Sequence, residues 1–411
     1  MGTQSHRSLQ AVPQHWYRAA LRTAHSLVRP RKTVSESLLS LQRGLTGERG
    51  KIASNYMDET ESLQAYLSYY WPVSFFETEC IFQELSDRGL TLKPARILDA
   101  GSGPGPASCS AVHYSAVQNG KIQQIVLMDR SRHALDAARR IFDDMLRDKD
   151  QGRTPDRPAG SSSASEEPQI ITLAGDLEHP SLLDEIPRDG FDLIIASHSI
   201  NELWHGKPDA IARRKEFVAR LFPFLSEHGI LLIVEPSAHY TSVPLLALRD
   251  ALLEPAAAAG LHCIAPCTHS GPCPLRQAGE RPCFSEWKWT PPEEVRTLAK
   301  LAGLDRTSLK ASWIAFGKDE PGTRPNSQLH GRIVSEPLRN RAGRIRFILC
   351  TQSGLVTLSA AQNSPDARRL GFFELSRGCL IEADELETRG DSHFGILAGT
   401  RLKVVLRPPR C

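Results

Sequence analysis

A glycine-rich segment between a predicted buried strand and a predicted helix is the part of the sequence best suited to hold a nucleotide-like ligand. In ILDAGSGPGPAS, the strand run ends at Asp99, and Gly101, Gly103 and Gly105 follow at alternate positions. Glycine lets the backbone turn tightly and approach a ligand closely. The first N–H groups of the following helix then face the polar end of that ligand. The segment therefore predicts a ligand-binding turn.

Two carboxylates at the ends of the next predicted strands indicate which ligand this is. Asp129 ends VLMD, where a carboxylate accepts both hydroxyls of a ribose, and Asp176 in AGDL lies near the expected adenine amino group. The acid–x–Gly–x–Gly order resembles class I S-adenosylmethionine-dependent methyltransferases more than the GxGxxG pattern of dinucleotide dehydrogenases. The resemblance implies S-adenosyl-L-methionine as cofactor, with six candidate binding residues: Asp99, Gly101, Gly103, Gly105, Asp129 and Asp176.

The segment SHSINEL follows the fourth predicted strand, where such enzymes place catalytic side chains. Its polar residues Ser197, His198, Asn201 and Glu202 are the catalytic candidates. The alternative is that they are strand-end and helix-cap residues. The segment lacks the Asn/Asp-Pro-Pro-aromatic motif of amino-group methyltransferases. The sequence thus indicates a cofactor but leaves the methyl acceptor, and catalysis itself, open.

Cysteines in a Pro- and Gly-rich loop form a second candidate site. Cys267, Cys273 and Cys283 lie on this loop, and Cys350 ends a later strand in RFILCTQSG. The spacings do not form the paired CxxC knuckles of zinc sites, whereas an iron–sulfur cluster tolerates irregular spacing. Zinc, with His269 as a further ligand, is the alternative metal, and buried structural thiols are the alternative to any metal.

The elements that would position these groups alternate between short apolar runs and helical stretches. The runs RILDAG, QQIVLMD, QIITLAGD, FDLIIASHS and GILLIVEP each end in Gly, Asp, Ser or Pro. This alternation predicts an α/β fold with a doubly wound, mostly parallel sheet. Upstream, MDETESLQAYLSYYWPVSFFETECIFQELSDRG predicts two helices broken near Pro72. Downstream, RIVSEPL, RIRFILCT, GLVTLSA, CLIEAD and RLKVVLRP predict a β-rich end.

We therefore expect a class I, Rossmann-like methyltransferase core with additions at both ends. The predicted parts are a basic arm and helical region over residues 1–90, the methyltransferase domain over 91–320 and a small β-rich module over 331–411. Within the core, residues 148–168 are low in hydrophobic residues and predict a mobile insertion, and residues 263–287 form the Cys-rich loop.

Charge is distributed unevenly although the net charge is only +3. Residues 1–54 carry nine Lys and Arg against two acids, and residues 331–411 carry thirteen against eight. Basic ends around an acidic middle are typical of contact with a polyanion, although ordinary solvated surface charge is the alternative. The N-terminal stretch has the composition of either an RNA-binding arm or a mitochondrial presequence. No apolar run reaches the length of a membrane span, so we expect no membrane partner. We also expect the protein to be a monomer when it is free.

Several motifs together resemble a family, the methyltransferase-like proteins of the mitochondrial small ribosomal subunit and their bacterial relatives. They are AYLSYYWP, ILDAGSGPG, SINEL, VEP, APCTHSGPCPL, CFS and GFFELSRG. The resemblance spans about residues 59–377 and implies a [4Fe-4S] cluster on Cys267, Cys273, Cys283 and Cys350. Cys263 is an extra thiol nearby. The family resemblance also implies association with the small ribosomal subunit and its rRNA, either through rRNA methylation or as a non-catalytic assembly factor. The compartment would be mitochondrial in a eukaryote and cytoplasmic in a bacterium.

Overall fold

The computed structural model describes residues 15–27, 33–46, 56–90, 92–151, 167–304, 307–318 and 327–409. The basic N-terminal stretch therefore lies partly outside the described residues. Its described part forms α1 (His15–Ser26) and α2 (Val34–Thr46). A short 3₁₀ turn at Tyr56–Asp58 and α3 (Thr60–Ala65) follow.

The helix that precedes the sheet differs from the prediction of a break near Pro72. A π-helical turn, Tyr66–Tyr70, runs from α3 directly into α4 (Trp71–Asp87), with Pro72 in the first turn of α4. Proline has no N–H to donate and its ring crowds the preceding turn. The wider π-helical turn accommodates both effects. The predicted break was wrong because the backbone bulges there and the helix continues.

A mixed eight-stranded sheet forms the centre of the protein. Its strands are β1 (Arg96–Ala100), β2 (Gln124–Asp129), β3 (Gln169–Ala174), β4 (Phe191–Ser197), β5 (Leu225–Pro236), β6 (His262–Ala265), β7 (Ser285–Lys288) and β8 (Ser308–Gly317). The order is β3-β2-β1-β4-β5-β8-β6, with β7 beside β8. β1 to β5 pair in parallel, whereas β8 is antiparallel to both β5 and β6. This strand order and the reversed β8 define the class I methyltransferase-like α/β fold.

Helices cover both faces of this sheet, as its nearly continuous apolar strands require. They are α5 (Pro106–Val117), α6 (Arg132–Gln151), α7 (Ala210–Ala219), α8 (His239–Ala258), α9 (Pro274–Gln277) and α10 (Glu293–Leu301). One apolar cluster joins α1, α4, α5 and α6 to one face, and a second joins α7 and α8 to the other. None of the described helices is long and apolar enough to cross a membrane.

The structure describes only the two ends of the predicted insertion at 148–168, and the first of these ends is part of a helix. α6 continues to Gln151 and β3 begins at Gln169. The end of α6 is charged and has few apolar residues, so the apolar spacing that predicts a helix stops before the helix ends. Residues 152–166 lie outside the described part of the chain.

A second eight-stranded sheet follows the first one. Its strands are β9 (Leu329–Ile333), β10 (Leu338–Arg339), β11 (Arg344–Thr351), β12 (Gly354–Ala361), β13 (Leu380–Asp384), β14 (Glu387–Gly390), β15 (His393–Gly395) and β16 (Arg401–Leu406). A short helix, α11 (Pro365–Arg369), connects β12 to β13. This sheet has an apolar cluster of its own, centred on Phe347, Leu358 and Phe372. The sequence pattern missed the short strands β14 and β15.

Candidate functional site

The main cavity of the described residues has a volume of about 590 Å³ and opens where the parallel strands end. Ligands of doubly wound sheets bind at this edge, because loops that leave neighbouring strands on opposite sides form a crevice there. Eight of the ten predicted cofactor and catalytic residues line it: Gly101, Gly103, Asp129, Asp176, Ser197, His198, Asn201 and Glu202. Asp99 and Gly105 are the two that do not.

The glycine turn lies against the cavity wall, and two of its positions depend on glycine for different reasons. A Cβ on Gly101 would lie 2.4 Å from the Cβ of Ser199, so only glycine fits at that contact. Gly103 has a φ of +51°, and a Cβ there would meet nothing within 4 Å. The space above Gly103 is therefore open on the cavity side, as a closely bound ligand requires.

Asp129 joins the end of β2 to this turn. Its Oδ2 accepts the Gly103 N–H at 2.8 Å, and its Oδ1 accepts the Ser131 N–H at 2.8 Å. Burial raises the pKa of this carboxyl group, while the two backbone hydrogen bonds favour its charged form. Each carboxylate oxygen keeps lone pairs for a further donor. The Asp129 carboxylate can thus accept further hydrogen bonds from the cavity.

Asp99 and Gly105 lie behind the cavity instead of facing it. The Asp99 side chain is buried and accepts a hydrogen bond from the Ser108 hydroxyl at the start of α5. Burial raises its pKa to about 7. Gly105 caps α5 in the left-handed conformation. Both residues support the turn from below, a distinction that a sequence motif does not carry.

His198 meets a carboxylate that the sequence did not indicate. His198 follows β4 with a φ of +56°, a conformation that non-glycine residues rarely adopt. Its Nε2 lies 3.2 Å from Glu77 Oε2 on α4. Burial alone lowers the pKa of His198, but contact with Glu77 outweighs this and holds the pKa above its usual value. The only sequence signal for Glu77 was an acid inside the apolar stretch SFFETEC.

Asn201 and Glu235 form a second buried pair beside the cavity. Both the backbone N–H and the side-chain amide of Asn201 donate to the Glu235 carboxylate at the end of β5. Burial raises the pKa of Glu235 to about 7. Asn201 thus fixes the loop after β4. Ser199 anchors the same loop by donating to the Ala100 carbonyl at 2.8 Å.

Tyrosines from the N-terminal helical region close the cavity opposite the glycine turn. Tyr56, Tyr66 and Tyr70 line it, and burial raises the pKa of both Tyr56 and Tyr66. Tyr66 and Tyr70 belong to the π-helical turn, with ring centroids 5.9 Å apart. The π-helical turn therefore presents aromatic surface to a ligand. The sequence read this segment only as a helix break.

The structure brings the four predicted cysteine ligands into one region between the two sheets. Cys273, Cys283 and Cys350 belong to one apolar cluster with Leu246 and Val334. Cys267 and Cys283 line the same small cavity. Burial raises the pKa of Cys350, and the neighbouring charges of Cys267, Cys283 and Cys273 raise it further. The four thiols are thus close enough to influence one another.

Two buried arginines supply positive charge beside these thiols. Arg249 on α8 is fully buried and donates to the carbonyl oxygens of Gly271 and His269 in the cysteine loop. Arg332 on β9 is 2% exposed, and its Nη1 lies 3.9 Å from Cys283 Sγ. A hydrogen bond from Cys263, followed by the charge of Arg249, lowers the pKa of Cys267 well below its usual value.

Among the described residues, no group of three His, Cys, Asp or Glu side chains is close enough to hold a single metal ion. His269 does approach one thiol, with its Nε2 3.5 Å from Cys350 Sγ. A four-iron cluster needs its thiolates farther apart than a single ion does, because the iron–sulfide core lies between them. The iron–sulfur cluster and the alternative zinc site therefore both stay predictions.

Sequence comparison decides the family. The profile described as mitochondrial small ribosomal subunit Rsm22 matches residues 60–361 of the 411. The chain belongs to this family. The match extends from α3 to the end of β12, so it includes all four cysteines and most of the cavity lining, but not Tyr56. The chain has no match among curated proteins.

Solved structures similar to this Rsm22-family chain are methyltransferases of low sequence identity. A class I S-adenosylmethionine-dependent methyltransferase from Listeria monocytogenes, described as putative, has a TM-score of 0.37 and 11% identity, over 77% of this chain and 90% of that one. The ribosomal protein L11 methylase of Lactobacillus delbrueckii subsp. bulgaricus has a TM-score of 0.30 and 12% identity, over 59% and 78%. An S-adenosylmethionine-dependent methyltransferase from Clostridium acetobutylicum has a TM-score of 0.25 and 17% identity, over 40% of this chain and 50% of that one. The fold assignment rests on the strand order.

Proposed function

We propose that the protein binds S-adenosyl-L-methionine in the main cavity and acts on the small ribosomal subunit as an rRNA methyltransferase. The observation that carries the first part is the pairing of Asp129 with an open glycine turn at Gly103. The family membership supports the second part. Asp129 would hold the ribose and Asp176 would lie at the adenine end, as the resemblance implies.

The residues around His198 supply the acceptor side of this proposal. Bound S-adenosylmethionine would supply an electrophilic methyl group. His198 lies in the cavity wall with Glu77 behind it, so the histidine ring has a fixed direction and a carboxylate that stabilises its protonated form. This arrangement suits a group that accepts a proton from the nucleophile. Ser197 and Glu202 line the same wall and would contact the substrate.

We also propose that Cys267, Cys273, Cys283 and Cys350 hold a [4Fe-4S] cluster with a structural role. Cys350 lies on β11 of the second sheet, whereas the other three lie on the loop after β6. A cluster bonded both to Cys350 and to the cysteine loop would close a long loop of the chain and fix the second sheet to the first. This link would reduce the conformational entropy that is lost when the second sheet docks. Anaerobic reconstitution followed by iron and zinc analysis tests this, because zinc with His269 as a ligand is the alternative.

The test of catalysis uses labelled S-adenosylmethionine with two acceptors, deproteinised small-subunit rRNA and partly assembled small subunits. We expect label in rRNA with wild-type protein and at least a tenfold slower transfer with His198→Ala. A matched control is His179→Ala, since His179 precedes a 3₁₀ turn and does not line the cavity. Equal transfer by His198→Ala would refute the role assigned to His198.

A second candidate function is a non-catalytic assembly factor that uses the same fold to bind rRNA. The observation in its favour is that the backbone N–H and the side-chain amide of Asn201 both donate to Glu235, so this catalytic candidate already has a partner within the protein. Under this alternative the subunits would still bind the protein, but no label would enter rRNA. The family description supports a mitochondrial location for either function in a eukaryotic cell.

A further inference from the structure

The second sheet closes on itself as a barrel. β9 pairs with β11 and with β13, and β11 pairs with β12, all antiparallel. β12 pairs in parallel with β15, and β13 pairs antiparallel with β16. β15 and β16 follow one another along the chain, separated by residues 396–400, so this last segment pairs with β12 at one end and with β13 at the other. α11 lies between β12 and β13, and the apolar cluster fills the interior.

This connectivity is that of a five-stranded Greek-key barrel of the OB type, in which β11 and β12 correspond to the second and third strands. Barrels of this type bind oligonucleotides on the outer face of those two strands and on the loops beside it. A shared fold does not establish a function by itself. The chemistry of the side chains on that face has to decide the matter.

The strand register identifies which side chains face outward. Phe347 and Leu358 face the apolar interior and are opposite each other, so Arg346 and its partner Ser359 face outward. Arg344 lies on the same side and donates to the Ser359 hydroxyl at 3.2 Å. The same hydroxyl lies 2.9 Å from His393 Nε2 on β15. Arg344, Arg346 and His393 therefore lie on one outer face, with the buried Ser359 hydroxyl beneath Arg344 and His393.

The patch is basic, and its charges repel one another. After burial, the charges of Arg389, Arg344 and Arg346 lower the pKa of His393, and Arg389 likewise lowers that of Arg344. Glu387 is the acid that acts on both groups, and its Oε2 already lies 2.6 Å from Arg389. Like charges gathered in this way are stabilised when a polyanion neutralises them.

The opposite end of the same outer face is already covered. Ile348, Cys350 and Leu355 pack against the cysteine loop and Leu246. Arg346 and Arg389, in contrast, are exposed. The proposed metal site and the basic patch therefore lie on one face of β11, and the cysteine loop fixes the direction in which the patch points.

We propose that this basic face, formed by Arg344, Arg346, Arg389 and His393, binds the phosphate backbone of single-stranded RNA. The proposal rests on the proposed function and adds the surface and the form of RNA. Residues two apart on a strand are about 7 Å apart and neighbouring strands about 5 Å, so the patch spans two or three phosphates of an extended strand. The named outward residues include no Phe, Tyr or Trp ring, so contacts to phosphates and not base stacking would dominate.

The experiment measures the anisotropy of a labelled 12-nucleotide single-stranded RNA, and of its duplex, with the full chain across a series of KCl concentrations. The variant is Arg346→Gln with Arg389→Gln. Each lost phosphate contact should reduce the slope of log K against log salt by about 0.7. The two lost contacts should reduce the slope by about 1.4, so the double variant should bind the single strand roughly 25-fold more weakly at 0.1 M KCl. Arg346→Lys, which keeps the charge, should retain the wild-type slope.

The matched control is Arg401→Gln with Lys403→Gln, which removes the same charge from exposed positions on β16 of the same barrel. It should bind the single strand like wild type. An equal loss in this control, an unchanged slope in the Arg346/Arg389 variant, or a loss confined to the duplex would each overturn the proposal. Because S-adenosylmethionine is left out, failure here is distinguishable from failure of the methyltransferase proposal. Unchanged melting temperatures show that both variants fold.

Discussion

Replacing Asp129 with alanine isolates the group on which the cofactor proposal depends most. The carboxylate accepts backbone N–H groups of Gly103 and Ser131, each at 2.8 Å, and faces the cavity with its remaining lone pairs. The variant therefore removes the ribose acceptor and also loosens the glycine turn. Both changes act in the same direction on binding of S-adenosylmethionine.

The expected size follows from the hydrogen bonds that the bound ribose would make. A hydrogen bond to a charged group contributes about 1.5–3 kcal/mol, and two of them contribute at least about 3 kcal/mol. Since 1.4 kcal/mol corresponds to a tenfold change, Asp129→Ala should weaken S-adenosylmethionine binding by roughly 100-fold or more. The two unpaired N–H groups should also lower the melting temperature of the free protein.

Isothermal titration calorimetry of S-adenosylmethionine with the full chain measures this directly. The matched control is Asp184→Ala, an exposed aspartate of the 3₁₀ turn after β3 that does not line the cavity. We expect wild-type affinity in the control. Saturable binding to Asp129→Ala within threefold of wild type would refute the assignment of this carboxylate to the ribose.

Three further predictions concern the cysteines and the buried acids. Cys350→Ser should lose iron after anaerobic reconstitution and expose residues 331–409 to protease while keeping cofactor affinity; four retained iron atoms per chain would point to Cys263 as the fourth ligand. Burial shifts the pKa of Asp99 from 3.8 to about 7, so the folded state binds more protons than the unfolded state and wild-type stability falls as pH rises between these values. Asp99→Asn should abolish that fall, and at pH 8 its free energy of unfolding in urea should exceed that of wild type by up to about 4 kcal/mol. A fall of equal size in the variant would contradict the raised pKa of Asp99. Glu77→Gln should lower the pKa of His198 in an NMR titration, whereas Glu79→Gln, whose carboxylate contacts His113 on α5, should leave it unchanged; an unmoved His198 in the first variant would remove Glu77 from the site.

The parallel part of the first sheet could be predicted because its physics is local. A strand buried on both faces reads as a short apolar run, and each run here ends at a turn residue. The ends of β1 and β2, and with them Gly101, Gly103 and Asp129, follow from that pattern alone. The sequence could not show that Asp99 lies behind the cavity, because a side chain's direction at a strand end depends on what packs beneath it, here Ser108.

The parts that sequence reasoning missed depend on contacts between distant segments. Glu77 approaches His198 across more than a hundred residues, and no spacing rule links them. The π-helical turn at Tyr66–Tyr70 looks like a helix break because proline usually stops a helix. The last segment of the second sheet joins β12 through the short strand β15. β15 has too few residues to show the alternation of apolar and polar residues that marks a strand in a sequence.

A structure of the full chain with bound S-adenosylhomocysteine is the most direct test of the central claim. The account predicts the ligand in the main cavity, with both ribose hydroxyls on the Asp129 carboxylate, the adenine towards Asp176 and the sulfur facing His198. An empty cavity at millimolar ligand, in protein with the same glycine-turn conformation, or a ligand bound elsewhere would contradict it.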